Sequence, residues 1–111
     1  MTNLTFLRNF TKDDPEKMKR YISLYLDVAQ KNFEEMKRNL ADKDWEQLRI
    51  NAHSLKPQAD FMGINSLKEE LIKIEEAIVT KKFDVLENLL FKSLKIAADS
   101  EIILNEMLQQ L

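Results

Sequence analysis

The sequence predicts an all-α fold: an antiparallel, up-down-up-down four-helix bundle with a short N-terminal lid helix. The chain has 111 residues, of which 44% are hydrophobic, enough to build one core. Good helix formers dominate, and only one glycine and two prolines are available for turns. Apolar residues recur at intervals of three and four in four long segments, which is typical of amphipathic helices packed side by side. We therefore expect a single domain over residues 1–111.

Composition and charge narrow the class of protein. The formal net charge is -2, so we expect no general electrostatic attraction to nucleic acid or to an anionic membrane. The chain has no cysteine, which excludes disulfides and thiolate metal sites. Neither a signal peptide nor an apolar stretch long enough to cross a bilayer is recognisable. We expect a free-standing, cytoplasmic protein that is a monomer.

The first two helices have clear beginnings. A short amphipathic helix is expected from Leu4 to Phe10, lying across one end of the bundle as a lid. The next helix has Asp14 as its N-cap and is expected to run from Pro15 to Leu40, with a slight break near Gln30 as an open alternative. Its inward stripe consists of Met18, Ile22, Tyr25, Ala29, Phe33, Met36 and Leu40.

The third helix carries the only histidine of the chain. Asp42 or Asp44 can cap its start, and Gly63 is a natural stop because glycine adopts the left-handed conformation at little cost. Its inward stripe consists of Trp45, Leu48, Ala52, Leu55, Ala59 and Met62. On an ideal helical wheel His53 lies about 130° from the centre of that stripe. The side chain of His53 is therefore predicted to face solvent.

Two further helices complete the bundle. Asn65 or Ser66 is expected to cap the fourth helix, with Ile64 just ahead of it as a hydrophobic staple residue. The segment 80–82 is expected to end that helix. The fifth helix is expected from about Phe83 to Gln109, with a less regular apolar stripe in its second half.

The surroundings of His53 suit reversible phosphorylation. Near neutral pH much of an exposed imidazole is unprotonated and nucleophilic. A phosphoryl group brings close to two negative charges, which Arg49 and Lys56 can offset as nearby cations. Asp60 lies on the same charged flank, and the opposite flank carries an apolar patch that a partner can bury: Ile50, Pro57 and Phe61. Since an ordinary solvated helix carries similar residues, this pattern alone leaves a plain surface histidine open.

A longer pattern favours the phosphorylated histidine. Ala52, His53, Leu55, Lys56, Ala59 and Gly63 follow one another in the register Ala-His-x-Leu-Lys, then a small residue, then a glycine ten places after the histidine. An acidic turn at 40–45 precedes them and a Leu-rich helix at 67–77 follows. In these features nearly all of the chain resembles the histidine-containing phosphotransfer (HPt) domains of multistep two-component phosphorelays.

The resemblance implies a phosphocarrier without kinase activity of its own. His53 would accept a phosphoryl group from a receiver-domain aspartate and pass it to another receiver, Lys56 would support the phosphorylated state, and Gly63 would end the histidine helix. The implied partners are response-regulator receiver domains and a hybrid histidine kinase. No cofactor is expected on this chain, because the catalytic Mg²⁺ belongs to the receiver. The face expected to dock the receiver consists of Arg49, Ile50, Pro57, Asp60 and Phe61.

Pro57 stands where the family usually has glycine. A proline inside a helix removes a backbone hydrogen bond at a cost of roughly 3 kcal/mol and disfavours helical geometry at the preceding Lys56. We predict that the helix continues through Pro57 with a bend and that His53 stays exposed. The alternative is a degenerate HPt-like adaptor that binds receiver or kinase domains without being phosphorylated.

Other classes of function match the sequence less well. A carboxylate-bridged metal enzyme needs Glu-x-x-His pairs on inward faces, whereas Ile50 stands three residues before His53 and a second histidine is absent. A nucleotide-binding protein would need a Gly-rich loop, which a chain with one glycine lacks. A plain helical interaction module stays open but explains less of the pattern.

Overall fold

The computed structural model describes residues 2–111, which form a bundle of four long helices with a short helix at one end. The helices are α1 (Thr5–Thr11), α2 (Pro15–Ala41), α3 (Trp45–Phe61), α4 (Asn65–Val79) and α5 (Leu86–Gln110), with a 3₁₀ turn at Phe83–Val85 before α5. Each long helix packs against the next, and α5 closes the ring against α2. The described part of the chain contains no strand and measures 44 × 20 × 19 Å. The predicted all-α bundle is confirmed.

One continuous core joins the inward stripes of the helices. Its largest and most completely buried side chains are Leu7, Met18, Ile22, Met36, Leu48, Leu55, Met62, Ile64, Leu67, Leu71, Ile74 and Leu86. Burial of each such side chain stabilises the fold by about 1.5–3 kcal/mol. Within residues 2–111, every helix is too short or too polar to cross a bilayer.

The N-caps of α2 and α3 are those that the sequence predicts. Oδ1 of Asp14 accepts a hydrogen bond from the N–H of Glu16 at 3.0 Å, and Pro15 occupies the first turn. Of the two candidate caps for α3, Asp44 accepts from the N–H of Gln47 at 3.2 Å. The alternative prediction of a slight break near Gln30 is wrong, because α2 runs without interruption from Pro15 to Ala41.

The start of α4 differs from the prediction. Asn65 is already the first helical residue, and the N-cap position belongs to Ile64, whose apolar side chain is fully buried. The N–H of Ile64 donates to the carbonyl of Ala59 at 2.9 Å and the N–H of Gly63 donates to that of Asp60 at 3.0 Å. These two bonds form a Schellman turn, which ends α3 and leaves no room for a side-chain cap on α4.

The start of α5 also differs from a regular helix. Phe83 begins a 3₁₀ turn, and its ring stacks on Trp45 with a centroid distance of 4.7 Å. The helix then continues to Gln110, one residue beyond the expected end, despite its irregular apolar stripe.

Gly63 is needed at the turn between α3 and α4 for two reasons. Its φ of +67° lies in the left-handed region, which favours glycine. In addition, the N–H of Asn3 donates to the Gly63 carbonyl at 3.1 Å, and a Cβ on Gly63 would lie 1.8 Å from the carbonyl oxygen of Asn3. The N-terminal segment therefore crosses the turn directly, and Leu4 and Leu7 bury themselves there. The predicted lid helix is confirmed, one residue later than expected.

Candidate functional site

His53 lies on the outer face of α3. Its neighbours Ala52 and Leu55 have no exposed surface, and they fix the rotation of the helix. The His53 side chain is consequently 65% exposed, as the helical wheel predicts.

A carboxylate of α4 holds the imidazole. Oε2 of Glu75 lies 3.2 Å from Nδ1 of His53, and Glu75 itself is only 18% exposed. An ionised carboxylate can only accept, so in a neutral imidazole this contact favours the tautomer with its proton on Nδ1. In that tautomer Nε2 carries the lone pair of the ring.

The same carboxylate holds Lys56. Nζ of Lys56 lies 2.8 Å from Oε1 of Glu75, an ion pair whose angles fall short of those of a hydrogen bond. Lys56 is 24% exposed and lies one helical turn after His53. Glu75 thus holds both the imidazole of His53 and the ammonium group of Lys56.

Arg49 belongs to the edge of this cluster. Its Nε donates to Oε2 of Glu46 at 3.3 Å. This hydrogen bond raises the pKa of the Arg49 guanidinium and lowers the pKa of the Glu46 carboxyl, and the charge of Glu75 adds a smaller increase to the pKa of Arg49. Arg49 therefore lies within electrostatic range of the carboxylate that holds His53, but Glu46 is its direct partner.

A shallow groove of about 350 Å³ lies beside the imidazole. It is lined by His53, Lys56, Pro57, Asp60, Lys68 and Ile72. Across it, Nζ of Lys68 on α4 lies 3.1 Å from Oδ1 of Asp60 on α3. The lining therefore combines the Asp60–Lys68 ion pair and Lys56 with the apolar surface of Pro57 and Ile72.

The predicted apolar patch is divided in the structure. Ile50 is 43% exposed and Pro57 is also exposed. Phe61 is half-buried, because it packs against Phe6 and Phe10 of the lid at centroid distances of 5.2 and 5.5 Å. The exposed aromatic surface at this end belongs mainly to the lid.

Pro57 is accommodated inside α3, which continues to Phe61 as predicted. Proline has no N–H, so the carbonyl of His53 lacks the donor that the helix would otherwise supply four residues later. The expected bend at this point stays a prediction.

Glu75 and Lys68 were not identified as site residues from the sequence. Both lie on α4, and they reach the site because α3 and α4 form an antiparallel hairpin about Gly63. His53 stands ten positions before that glycine and Glu75 twelve positions after it, so the two meet across the hairpin. This near-equal spacing is the signal that would have pointed to Glu75.

Comparison with known proteins identifies the family of this chain. The family model described as the Hpt domain matches residues 20–111. The chain belongs to the Hpt domain family. Its fold matches the crystal structure of histidine-containing phosphotransfer protein B from Pseudomonas aeruginosa PAO1 with a TM-score of 0.89, covering 97% of this chain and 91% of that chain. At 19% identity this likeness concerns the fold alone.

Among curated proteins, none matches the chain in sequence. Membership of the family nonetheless fixes the general class. Hpt domains are phosphocarriers of phosphorelays that interact with receiver domains and kinases, and this chain is a phosphotransfer protein of that kind.

Proposed function

We propose that this Hpt domain accepts a phosphoryl group on Nε2 of His53 from a receiver-domain aspartate and passes it to another receiver. The observation that carries the proposal is the contact of Glu75 with Nδ1 at 3.2 Å on an imidazole that is 65% exposed. In the neutral imidazole this contact favours the proton on Nδ1, so Nε2 of the exposed ring keeps its lone pair.

The transfer step balances without a proton acceptor. The lone pair of Nε2 attacks the phosphorus, a nitrogen–phosphorus bond forms, and the bond from phosphorus to the aspartyl oxygen breaks. The aspartate leaves as a carboxylate with that electron pair. His53 keeps its proton on Nδ1, so the ring becomes positive, and the Glu75 carboxylate offsets this charge. Return of the phosphoryl group to a second aspartate reverses the same steps.

Lys56 is proposed to support the phosphorylated state. A phosphoryl group on His53 carries about −1.5 to −2 charges near neutral pH. Lys56 lies one turn along the same helix, and its ammonium group has three donors on a flexible stem. We expect it to share its contact between Glu75 and the phosphoryl oxygens, because Glu75 contacts both Lys56 and the imidazole.

We propose that the receiver docks on the side chains that surround His53. The exposed side chains of Ile50 and Pro57 supply apolar area, and the charged side chains of Arg49 and Asp60 lie beside them. Phe61 contributes through the lid helix that it supports.

The Mg²⁺ needed for the aspartyl chemistry is expected on the receiver. We expect the exchange to occur in the cytoplasm, with a hybrid histidine kinase as the first source of phosphate. The single continuous hydrophobic core supports the prediction that the chain forms one domain.

The alternative of an unphosphorylated adaptor rests on Pro57. Proline in place of glycine adds a ring to the surface that a receiver must approach, next to the proposed phosphoacceptor. Against this alternative, α3 continues through Pro57 and His53 stays exposed. These observations favour the carrier.

The test is phosphotransfer from a panel of receiver domains loaded with radiolabelled phosphate. The carrier takes up label that is labile in acid and stable in base, as expected of a phosphoramidate bond. A His53→Gln variant should take up none. Binding of receivers without any label on the native protein, unaffected by His53→Ala, would establish the adaptor instead.

A further inference from the structure

Two ion pairs of opposite orientation cross from α3 to α4 beside His53. In the first, the lysine is on α3 and the carboxylate on α4: Lys56 with Glu75 at 2.8 Å. In the second, the carboxylate is on α3 and the lysine on α4: Asp60 with Lys68 at 3.1 Å. His53 and both lysines line the same groove of about 350 Å³.

The two lysines differ in how tightly they are held. Glu75 is 18% exposed, so moving Lys56 away would leave a largely buried carboxylate without its cation. Asp60 is 57% exposed and Lys68 is 39% exposed. An exposed pair of this kind contributes little to stability, because water solvates both groups when they separate. Lys68 is therefore the lysine that can change partner at the lower cost.

The charge of the groove changes when His53 is modified. In the resting protein the two lysines balance the two carboxylates. A phosphoryl group on His53 adds about −1.5 to −2 charges to the groove that Lys68 also lines. Lys68 can then turn from Asp60 towards the phosphoryl oxygens, whereas the Asp60 carboxylate is repelled by them.

We propose that Lys68 is a second cation for the phosphoryl group on His53, and that Asp60 competes for it in the unphosphorylated protein. The proposal rests on the proposed function of His53 and extends it to a residue of α4. It assigns Asp60 a role against phosphorylation, in addition to its place on the docking face.

The proposal makes opposite predictions for the two members of one ion pair. Lys68→Met removes the cation, so the equilibrium share of phosphoryl group on His53 should fall by about two- to five-fold, as expected for one exposed charge pair. Asp60→Asn frees the cation, so the share should rise by a similar factor. Both variants break the same ion pair, so a purely structural role of the pair would move the equilibrium in one direction for both.

The experiment mixes each variant with one phosphorylated receiver and measures the partition of label between the receiver and His53 at equilibrium. An equilibrium measurement is independent of how fast the receiver docks. Lys73→Met is the matched control, because Lys73 lies on the same helix, pairs with Glu70 at 3.4 Å and faces a groove towards α5. Its partition should equal that of the native protein.

Shifts of Lys68→Met and Asp60→Asn in the same direction would overturn the proposal. A Lys68→Met partition equal to that of Lys73→Met would also overturn it, while normal labelling of the native protein would leave the proposed function intact. If the native protein accepts no label from any receiver, the proposed function itself fails and this proposal fails with it.

Discussion

Oε2 of Glu75 lies 3.2 Å from Nδ1 of His53, across the contact between α4 and α3. This contact joins a largely buried carboxylate to a largely exposed imidazole. In the neutral ring it distinguishes the two nitrogens, because Nδ1 then carries the proton that faces Glu75 and Nε2 carries the lone pair. The other oxygen of the same carboxylate holds Lys56, so the proposed phosphoacceptor and its proposed cation share one support.

Replacing Glu75 by glutamine should slow phosphoryl transfer to His53. The amide can donate as well as accept, so it no longer selects the Nδ1–H tautomer, and it cannot offset the positive ring formed during transfer. The loss of one charge-assisted hydrogen bond predicts a rate about ten-fold lower. Single-turnover transfer from one phosphorylated receiver measures it. Glu76→Gln, an exposed neighbour on the same helix, is the control, and equal rates for the two variants would contradict the role of Glu75.

Replacing Pro57 separates the carrier from the adaptor. Pro57→Ala restores an N–H for the carbonyl of His53, so the free energy of unfolding should rise by about 1–3 kcal/mol in urea denaturation. Because His53 is already exposed with proline present, the rate of phosphotransfer should change little. If label appears on His53 only after Pro57→Ala or Pro57→Gly, the native proline blocks transfer and the adaptor is correct.

Gly63→Ala should destabilise the bundle. The φ of +67° is strained for alanine, and the new Cβ would collide with the carbonyl of Asn3 and displace the N-terminal segment. We expect a loss of about 2–4 kcal/mol, from the strain and from the exposure of Leu4. Lys43, in the turn between α2 and α3, has a φ of 56°, so Lys43→Gly is a matched variant that should gain about 0.5–1 kcal/mol. Equal effects of the two variants in thermal unfolding would contradict this account of the turn.

Tyr25 should make the protein sensitive to alkaline pH. Burial, and to a smaller extent the charge of Glu101, raise the pKa of Tyr25 from 10.0 to about 12. The unfolded chain releases this proton first, so the stability that it contributes is complete below pH 10 and is lost as the pH rises through about 12. The loss amounts to about 2–3 kcal/mol.

The Tyr25→Phe variant isolates this effect. Oη of Tyr25 is buried and has no hydrogen-bond partner among residues 2–111, so its removal should cost little at neutral pH. Denaturant unfolding of the two proteins across the alkaline range should then show a difference that grows with pH. A constant difference would mean that Tyr25 titrates normally.

The helices and the orientation of His53 could be predicted because both depend on local periodicity. The spacing from Ala52 to Ala59 defines the inward face of α3, and the outward position of His53 follows from the helical repeat alone. The cap at Asp14 and the stop at Gly63 are equally local, since each depends on a single backbone position.

The partners of His53 could not be predicted in the same way. Glu75 and Lys68 depend on the rotation and register of α4 against α3, which the Schellman turn at Gly63 and the burial of Ile64 determine together. Phe61 was predicted as part of an open patch because the wheel does not show the lid, whose aromatic rings cover it. The neighbours of His53 thus depend on contacts between helices, whereas the outward position of His53 follows from the sequence pattern alone.

The most direct test of the central claim is to determine which atom carries the phosphoryl group. The protein is loaded from a phosphorylated receiver, and phosphorus and nitrogen NMR of the imidazole identify the modified ring nitrogen. Phosphate on Nε2 of His53, with the proton retained on Nδ1 beside Glu75, is the result that the structure predicts. Phosphate on Nδ1 of His53, or on another residue, would contradict it.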